Sequence, residues 1–345
     1  MSKIRVLVVD DSAFMRKIIS DMLSSDKDIE VVDTARDGVW ALEKLKTTKV
    51  DVVTMDVEMP RMNGLEALKE ITGLYKIPVI MLSSLTSNGA DTTFKALEFG
   101  AMDFVLKPSF SIGMNLDELK IELISKIKMC CKTTKKTAPE KIEAVSQNSQ
   151  TSMKGNEIKG VCIAASTGGP KALSTVMKMF PQNFKLPILI VQHMPAGFTK
   201  AFAKRLDDNC PVSIKEAQAG ERIEKGKAYI APGGYHMVVE KDMTISLNEE
   251  PAMHGVRPCA DKLFISAAEN IGGKLIGIVL TGMGKDGTLG LKAIKDKGGI
   301  CIAEHQSTCT IYGMPKNAIE KGVVHIIAPV HDVVGEVLKI TRTGN

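Results

Sequence analysis

No two of the seven cysteines are spaced as Cys-x-x-Cys. They stand at positions 130, 131, 162, 210, 259, 301 and 309, an odd number, and Cys162 and Cys301 lie inside apolar runs. That pattern argues against a zinc site and for buried, reduced thiols. None occupies an obviously activated position, so cysteine-based catalysis is not expected. No apolar run approaches the ~20 residues of a membrane span. The opening Met1-Ser-Lys-Ile-Arg5 leads straight into a strand pattern rather than a signal peptide. A cytoplasmic protein with no direct membrane insertion is expected. A strong charge of either sign is also missing. The net charge of +5 splits unevenly: residues 1–130 hold 17 Lys and Arg against 20 Asp and Glu, residues 159–345 hold 23 against 17. A mildly basic C-terminal part suits an acidic partner surface but is too weak to argue for nucleic acid. No helix-turn-helix pattern with a basic recognition helix is present either. Hydrophobic content of 44% and charged content of 25% are ordinary for a globular protein. The length of 345 residues suggests ~2 domains.

Residues 4–130 alternate strand and helix patterns five times. Residues 4–9, 29–34, 50–55, 77–82 and 104–106 read as short apolar strands, and Phe14, Ile18, Ile19, Met22 and Leu23 recur at helical spacing. Such alternation predicts a parallel sheet covered on both faces, with ligands gathering at the carboxyl ends of its strands. Asp10 and Asp11 close the first strand, Asp56 the third, Ser83 the fourth and Lys107 the fifth. Converging carboxylates repel one another unless a cation sits among them. Mg²⁺, a hard ion that prefers oxygen ligands, fits that role, and Lys107 can pair with a carboxylate or a phosphoryl oxygen. Asp10 and Asp11 could instead cap the next helix, but capping does not account for all five positions.

The Asp10-Asp11 pair, Asp56-Val-Glu-Met-Pro60 with Gly64, Ser83, Phe104 and Lys107-Pro108 resemble the receiver domain of bacterial two-component response regulators. The resemblance implies a flavodoxin-like doubly wound parallel sheet over residues 1–130. It also implies that Asp56 accepts a phosphoryl group from a histidine kinase and that Asp10, Asp11 and Asp56 hold Mg²⁺. Ser83, Phe104 and Lys107 would be the switch residues. The receiver pattern more often has threonine and tyrosine where this chain has Ser83 and Phe104. A hydroxyl survives at Ser83, and none is present at Phe104.

From 131 to 157 the pattern stops in a polar stretch that contains no aromatic residue. Its composition predicts a flexible linker. Beyond it, residues 161–165 form an apolar run that breaks at Ser166-Thr-Gly-Gly-Pro170, and Leu173, Val176, Met177 and Phe180 follow at helical spacing. This strand–turn–helix unit places the Ser166 hydroxyl beside unpaired N–H groups of a helix start, where an anionic oxygen is stabilised. Alone, the same residues also describe an ordinary N-cap. Two further apolar strands end at His193 and at Thr281-Gly-Met-Gly-Lys-Asp286. Segments near 229–231 and 237–239 suggest a strand or hairpin insertion, and the whole predicts a second doubly wound α/β domain over 158–345. Three strand ends thus supply a serine, a histidine and an aspartate, the types needed for an activated serine nucleophile. His305 also ends an apolar strand, so spacing alone does not choose the base. His325 reads as a satisfied residue within a strand, and His236, His254 and His331 as solvent-facing loop or cap positions. The glycine-rich turns match neither a Walker loop nor a dinucleotide fingerprint. Ser166 lacks the Gly-x-Ser-x-Gly elbow of the α/β-hydrolases.

Ala165-Ser166-Thr-Gly-Gly-Pro170, Val191-Gln-His193-Met-Pro195, Ala231-Pro-Gly-Gly234, Thr281-Gly-Met-Gly-Lys-Asp286-Gly and Tyr312-Gly-Met-Pro315 resemble the motifs of chemotaxis protein-glutamate methylesterases. The resemblance implies Ser166 as nucleophile, His193 as general base and acid, Asp286 as orienting carboxylate and the Met283 N–H as oxyanion donor. It implies no cofactor in the catalytic domain. The implied substrates are glutamyl methyl esters on the cytoplasmic helices of methyl-accepting chemoreceptors, with methanol released. Many members also deamidate glutamines there. Phosphorylation of Asp56 is expected to shift the receiver away from the catalytic cleft.

Overall fold

The computed structural model describes residues 3–84, 87–107, 116–133, 158–271 and 274–342, with the side chains at 87–88, 132–133 and 342 outside that description. The chain divides into two units, 1–137 and 138–345. Most of the expected linker, from 134 to 157, lies outside the described residues, as do Pro108 and the Gly272-Gly273 pair.

In the first unit β1 (Ile4–Val9), β2 (Ile29–Ala35), β3 (Val52–Asp56), β4 (Val79–Ser83) and β5 (Asp103–Leu106) form one sheet in the order β2-β1-β3-β4-β5. All four pairings are parallel. Helices α1 (Ala13–Ser24), α2 (Gly38–Thr47), α3 (Gly64–Glu70), α4 (Ser87–Glu98) and α5 (Leu116–Thr133) alternate with the strands. Local chemistry sets the helix starts. Ser12 caps α1 by accepting from the Met15 N–H, and Asn63 with Glu66 forms a reciprocal capping box on α3. The α5 helix runs through Thr133, three residues into the stretch read from sequence as linker. Because the strands are parallel, Asp10, Asp56, Ser83 and Lys107 all emerge at one edge.

The second unit contains β6 (Ile158–Ala165), α6 (Gly169–Met179), β7 (Ile188–Gln192), α7 (Phe198–Asp207), β8 (Ser213–Glu216) and β9 (Lys227–Ile230). These are followed by β10 (His236–Val239), β11 (Ile245–Asn248), α8 (Ala260–Asn270), β12 (Lys274–Val279), α9 (Thr288–Asp296), β13 (Ile300–Glu304), α10 (Met314–Glu320), β14 (Ile326–Ala328) and α11 (Val333–Arg342). Seven strands form a parallel sheet in the order β14-β13-β12-β6-β7-β9-β8, while β10 and β11 pair as a separate antiparallel hairpin. The insertion read from sequence is thus divided: β9 joins the main sheet and only β10 belongs to the hairpin. The order reverses between β6 and β12, which is where an open α/β sheet leaves a crevice at its carboxyl edge.

The β6 interior residues Val161–Ala165 are fully buried, and Leu263, Phe264 and Ala267 of α8 pack into the same core as Leu189, Val279 and Leu291. Each large apolar side chain so buried contributes about 1.5–3 kcal/mol. His236 corrects an expectation. It lies within β10 with no exposure rather than facing solvent, Nε2 bonds the Pro251 carbonyl at 3.2 Å, and burial lowers its pKa. His325 sits just before β14 rather than inside a strand, and its Nδ1 accepts the Cys301 N–H at 2.9 Å.

Candidate active site

The carboxyl edge of the first sheet carries a dense ionic cluster. Lys107 Nζ lies 2.7 Å from Asp10 Oδ2 and 2.6 Å from Asp56 Oδ2. One oxygen from each of Asp10, Asp11 and Asp56 falls within 4.8 Å of the others. Burial raises the Asp56 pKa to about 6 despite the opposing charge and hydrogen bond of Lys107, and Asp10 adds to the rise. The two carboxylates win over the desolvation of Lys107 and raise its pKa. Three carboxylates facing one ammonium leave an excess of negative charge on hard oxygen donors, so the donor set fits Mg²⁺. Gly64 is required beside this cluster, because a Cβ there would stand 2.0 Å from the Asp56 carbonyl oxygen. The Ser83 hydroxyl is buried and accepts from Thr93 Oγ1 at 2.7 Å. Phe104 is 4% exposed, with Lys126 Nζ on its carbonyl at 2.6 Å and 5.6 Å above its ring.

In the second unit Ser166 follows β6, His193 follows β7 and Asp286 lies in the turn between β12 and α9. The His193 Nε2 to Asp286 Oδ2 distance is 2.7 Å. The Ser166 hydroxyl makes no hydrogen bond to the histidine, whose Nε2 is engaged by Asp286. Ser166 is instead fixed through its backbone: its N–H donates to the Thr281 carbonyl at 3.0 Å, and its carbonyl accepts from the Gly169 N–H at 2.7 Å. The turn after β12 lies close against it, since a Cβ on Gly282 would stand 2.7 Å from Ser166 Cβ. Met283, the expected oxyanion donor, belongs to this turn, and Gly313 packs against its Cα. His305, the rival base, pairs with Ser307 Oγ at 2.8 Å and is not joined to His193 or Asp286.

Asp286 is held by donors far away in sequence. Its Oδ2 accepts from the Ala260 N–H at 2.7 Å, and its Oδ1 accepts from the Asp261 N–H, the Gly287 N–H and the Cys259 thiol at 2.9, 2.9 and 3.0 Å. The carboxylate thus sits on the open N–H groups at the start of α8, whose N-cap residue Cys259 makes no side-chain cap of its own. Burial raises the carboxyl pKa, but His193, Cys259 and the Ala260 N–H outweigh it and hold the pKa well below the usual range. Burial and the neighbouring carboxylate push the Cys259 thiol far up, so it stays a protonated donor. His254, Cys259, Asp261 and Asp286 have ligand-type atoms within 4.8 Å of one another. Their hydrogen bonds account for that cluster without a metal. His254, expected at the surface, is exposed as a residue, yet its Nε2 lies 2.8 Å from the fully buried Asp261 with 16% of its side chain exposed, and Asp261 Oδ1 accepts from the Gly290 N–H. Sequence reasoning did not find Cys259 or Asp261. They precede Asp286 by more than twenty positions, and only the sheet order brings them together.

Residues 161–337 match the family described as CheB methylesterase, and residues 6–114 match the response regulator receiver domain. A protein-glutamate methylesterase/protein-glutamine glutaminase of Pyrococcus abyssi (strain GE5 / Orsay) is 50% identical over 341 residues, covering 96% of this chain and 92% of its own. One from Clostridium acetobutylicum (strain ATCC 824) is 47% identical, covering 99% of both chains. The crystal structure of the Thermotoga maritima CheB methylesterase catalytic domain shares 40% identity and a TM-score of 0.51, covering 53% of this chain and 98% of that one.

Proposed function

The chain belongs to the CheB methylesterase family, and from that premise we propose that it is a phosphorylation-activated serine esterase of bacterial-type chemotactic adaptation. It hydrolyses glutamyl methyl esters on the cytoplasmic helices of chemoreceptors, releases methanol, and deamidates receptor glutamines by the same acyl chemistry. The observation that carries the reading is the bond from His193 to the deeply buried, hydrogen-bonded Asp286, beside Ser166 at a topological switch.

Nε2 of His193 is engaged by Asp286, which leaves Nδ1 to take the Ser166 proton. This reverses the use of the two ring nitrogens in the serine-protease template. Ser166 Oγ attacks the γ-carbonyl, and the oxyanion meets N–H groups of the 281–284 turn, Met283 foremost. The histidine then gives its proton to the leaving methoxide. Water, deprotonated by the same nitrogen, opens the acyl-enzyme to glutamate. Each preorganised oxyanion donor is worth about 3 kcal/mol in related sites. Asp286 keeps the imidazole oriented and stabilises its cation.

In the receiver, Asp10, Asp11 and Asp56 would hold Mg²⁺, which shields negative charge as a phosphoryl group approaches Asp56. Lys107 pairs with the arriving phosphoryl oxygens, and Ser83 turns toward them from its bond with Thr93. A chemotaxis histidine kinase is the phosphodonor. The cytoplasm is the compartment where kinase and receptor helices meet this chain. Among the described residues no helix is long and apolar enough to cross a membrane. Methanol release from methyl-labelled receptor tests the assignment: Ser166→Ala should abolish it, and release at the wild-type rate would overturn the nucleophile. Asp56→Asn should abolish the rise in rate caused by a small phosphodonor with Mg²⁺.

A further inference from the structure

We infer that Gln192 is a positioning residue that fixes the nucleophile and the base relative to one another; the inference rests on the assignment of Ser166 and His193 just given. The β6–β7 ladder pairs Ala165 with Gln192, and its last backbone bond runs from the His193 N–H to the Ala165 carbonyl at 3.0 Å. Past that point the two chains part. The Ser166 N–H turns to the opposite neighbour and donates to Thr281. Nothing in the backbone ladder therefore joins Ser166 to His193.

The Gln192 side chain supplies the missing rung. Its Nε2 donates to the Ser166 carbonyl at 3.0 Å and to the His193 carbonyl at 3.0 Å. Both partners are pure acceptors, so the amide nitrogen must face them and the orientation of the group is decided by chemistry. Its oxygen packs on the start of α6, where a Cβ on Gly169 would stand 2.0 Å away. No described residue donates to that oxygen, although Gln192 is only 2% exposed. A buried amide with one unpaired end is a poor choice for stability alone. Its two N–H groups, each holding the backbone of one reacting residue, give it a reason to be there. Rotation of the amide is blocked on one side by Gly169 and fixed on the other by the two carbonyls. The separation of Ser166 and His193 is then set by a planar group rather than by two loop ends.

Two near-isosteric variants of the full chain test this. Gln192→Leu removes both donors, and Gln192→Glu turns a carboxylate oxygen toward the two carbonyls. Three readouts apply: kcat and KM for methanol release, the rate at which a fluorophosphonate labels Ser166, and the thermal midpoint. A small misplacement of reacting groups can cost ~100-fold, so kcat and the labelling rate should fall together by about 10- to 100-fold. KM should stay within about twofold, and in Gln192→Leu, which adds no charge, the pH position of the acid limb should not move. Folded variants that label and turn over at the wild-type rate would overturn the inference, as would a shifted acid limb in Gln192→Leu, which would show an electrostatic role. If one variant fails to fold, the other carries the test, and Gln192→Asn, too short to span both carbonyls, serves if both fail. Ser166→Ala separates the two levels: methanol release by that variant sinks the nucleophile assignment. A dead Ser166→Ala beside fully active Gln192 variants sinks only the positioning role.

Discussion

At the scale of single residues, three of the donors on Asp286 come from Cys259, Ala260 and Asp261, at the start of α8. Ser166, His193 and the turn that carries Asp286 each follow an apolar run, and a strand end is a local signal. Cys259 carries no such signal. It reads as one more scattered thiol, yet it donates to Asp286 Oδ1 at 3.0 Å. Burial and the charge of Asp286 raise its pKa and keep it a protonated donor. Gly282 is similar: a glycine in a glycine-rich turn says little until Met314 Sδ and Ser166 Cβ are found 2.4 and 2.7 Å from where its Cβ would be. The thiol can be tested without disturbing the fold. Cys259→Ser retains a donor of similar size and should hold kcat within about threefold, while Cys259→Ala loses a hydrogen bond worth about 0.5–1.5 kcal/mol, a 2- to 10-fold fall in kcat. Equal methanol release from wild type and Cys259→Ala would remove the thiol from the support of Asp286.

At the scale of elements, alternation of strand and helix was plain wherever strands were buried on both faces, as in β1, β3, β6 and β12. It failed for β8, whose burial pattern begins exposed, and for β11, which has one buried residue in four. Edge and hairpin strands carry too little apolar signal to be read from pattern. For the same reason His236 looked like a loop residue, since only the pairing of β10 with β11 shows it to be interior. The start of α8 has a functional consequence. A carboxylate held by N–H donors below its ordinary pKa keeps its charge while the usual carboxylates, near pH ~4, take up protons. The stabilisation of ionised Asp286 is therefore full above that ordinary value and is lost only as pH falls through the depressed one. Asp286 should therefore take up no proton above about pH 4, and the acid limb of log kcat/KM should have a slope of about one. A slope approaching two would show Asp286 taking a proton in the same range and would break the cradle argument.

At the scale of the whole molecule, the described residues proposed for each site come from one unit of the chain. The ionic cluster proposed to accept a phosphoryl group runs from Asp10 to Lys107, and the proposed esterase site from Ala165 to Met314. Each of the two sheets has its own core and its own carboxyl edge. The chemistry of one site should then survive loss of the other, and only the rate enhancement should need both. Ser166→Ala should take up phosphoryl from a radiolabelled small phosphodonor with Mg²⁺ at the wild-type rate, within about twofold. Asp56→Asn should take up none. It should keep the basal methanol release of the unphosphorylated wild type and respond to no phosphodonor. Energetic independence of distant sites is the ordinary case, and coupling enters only through a conformational equilibrium that one ligand biases. If Ser166→Ala altered phosphoryl uptake, the catalytic unit would be acting on Asp56 directly. Loss of basal esterase activity in Asp56→Asn would show that the catalytic geometry depends on the receiver even at rest.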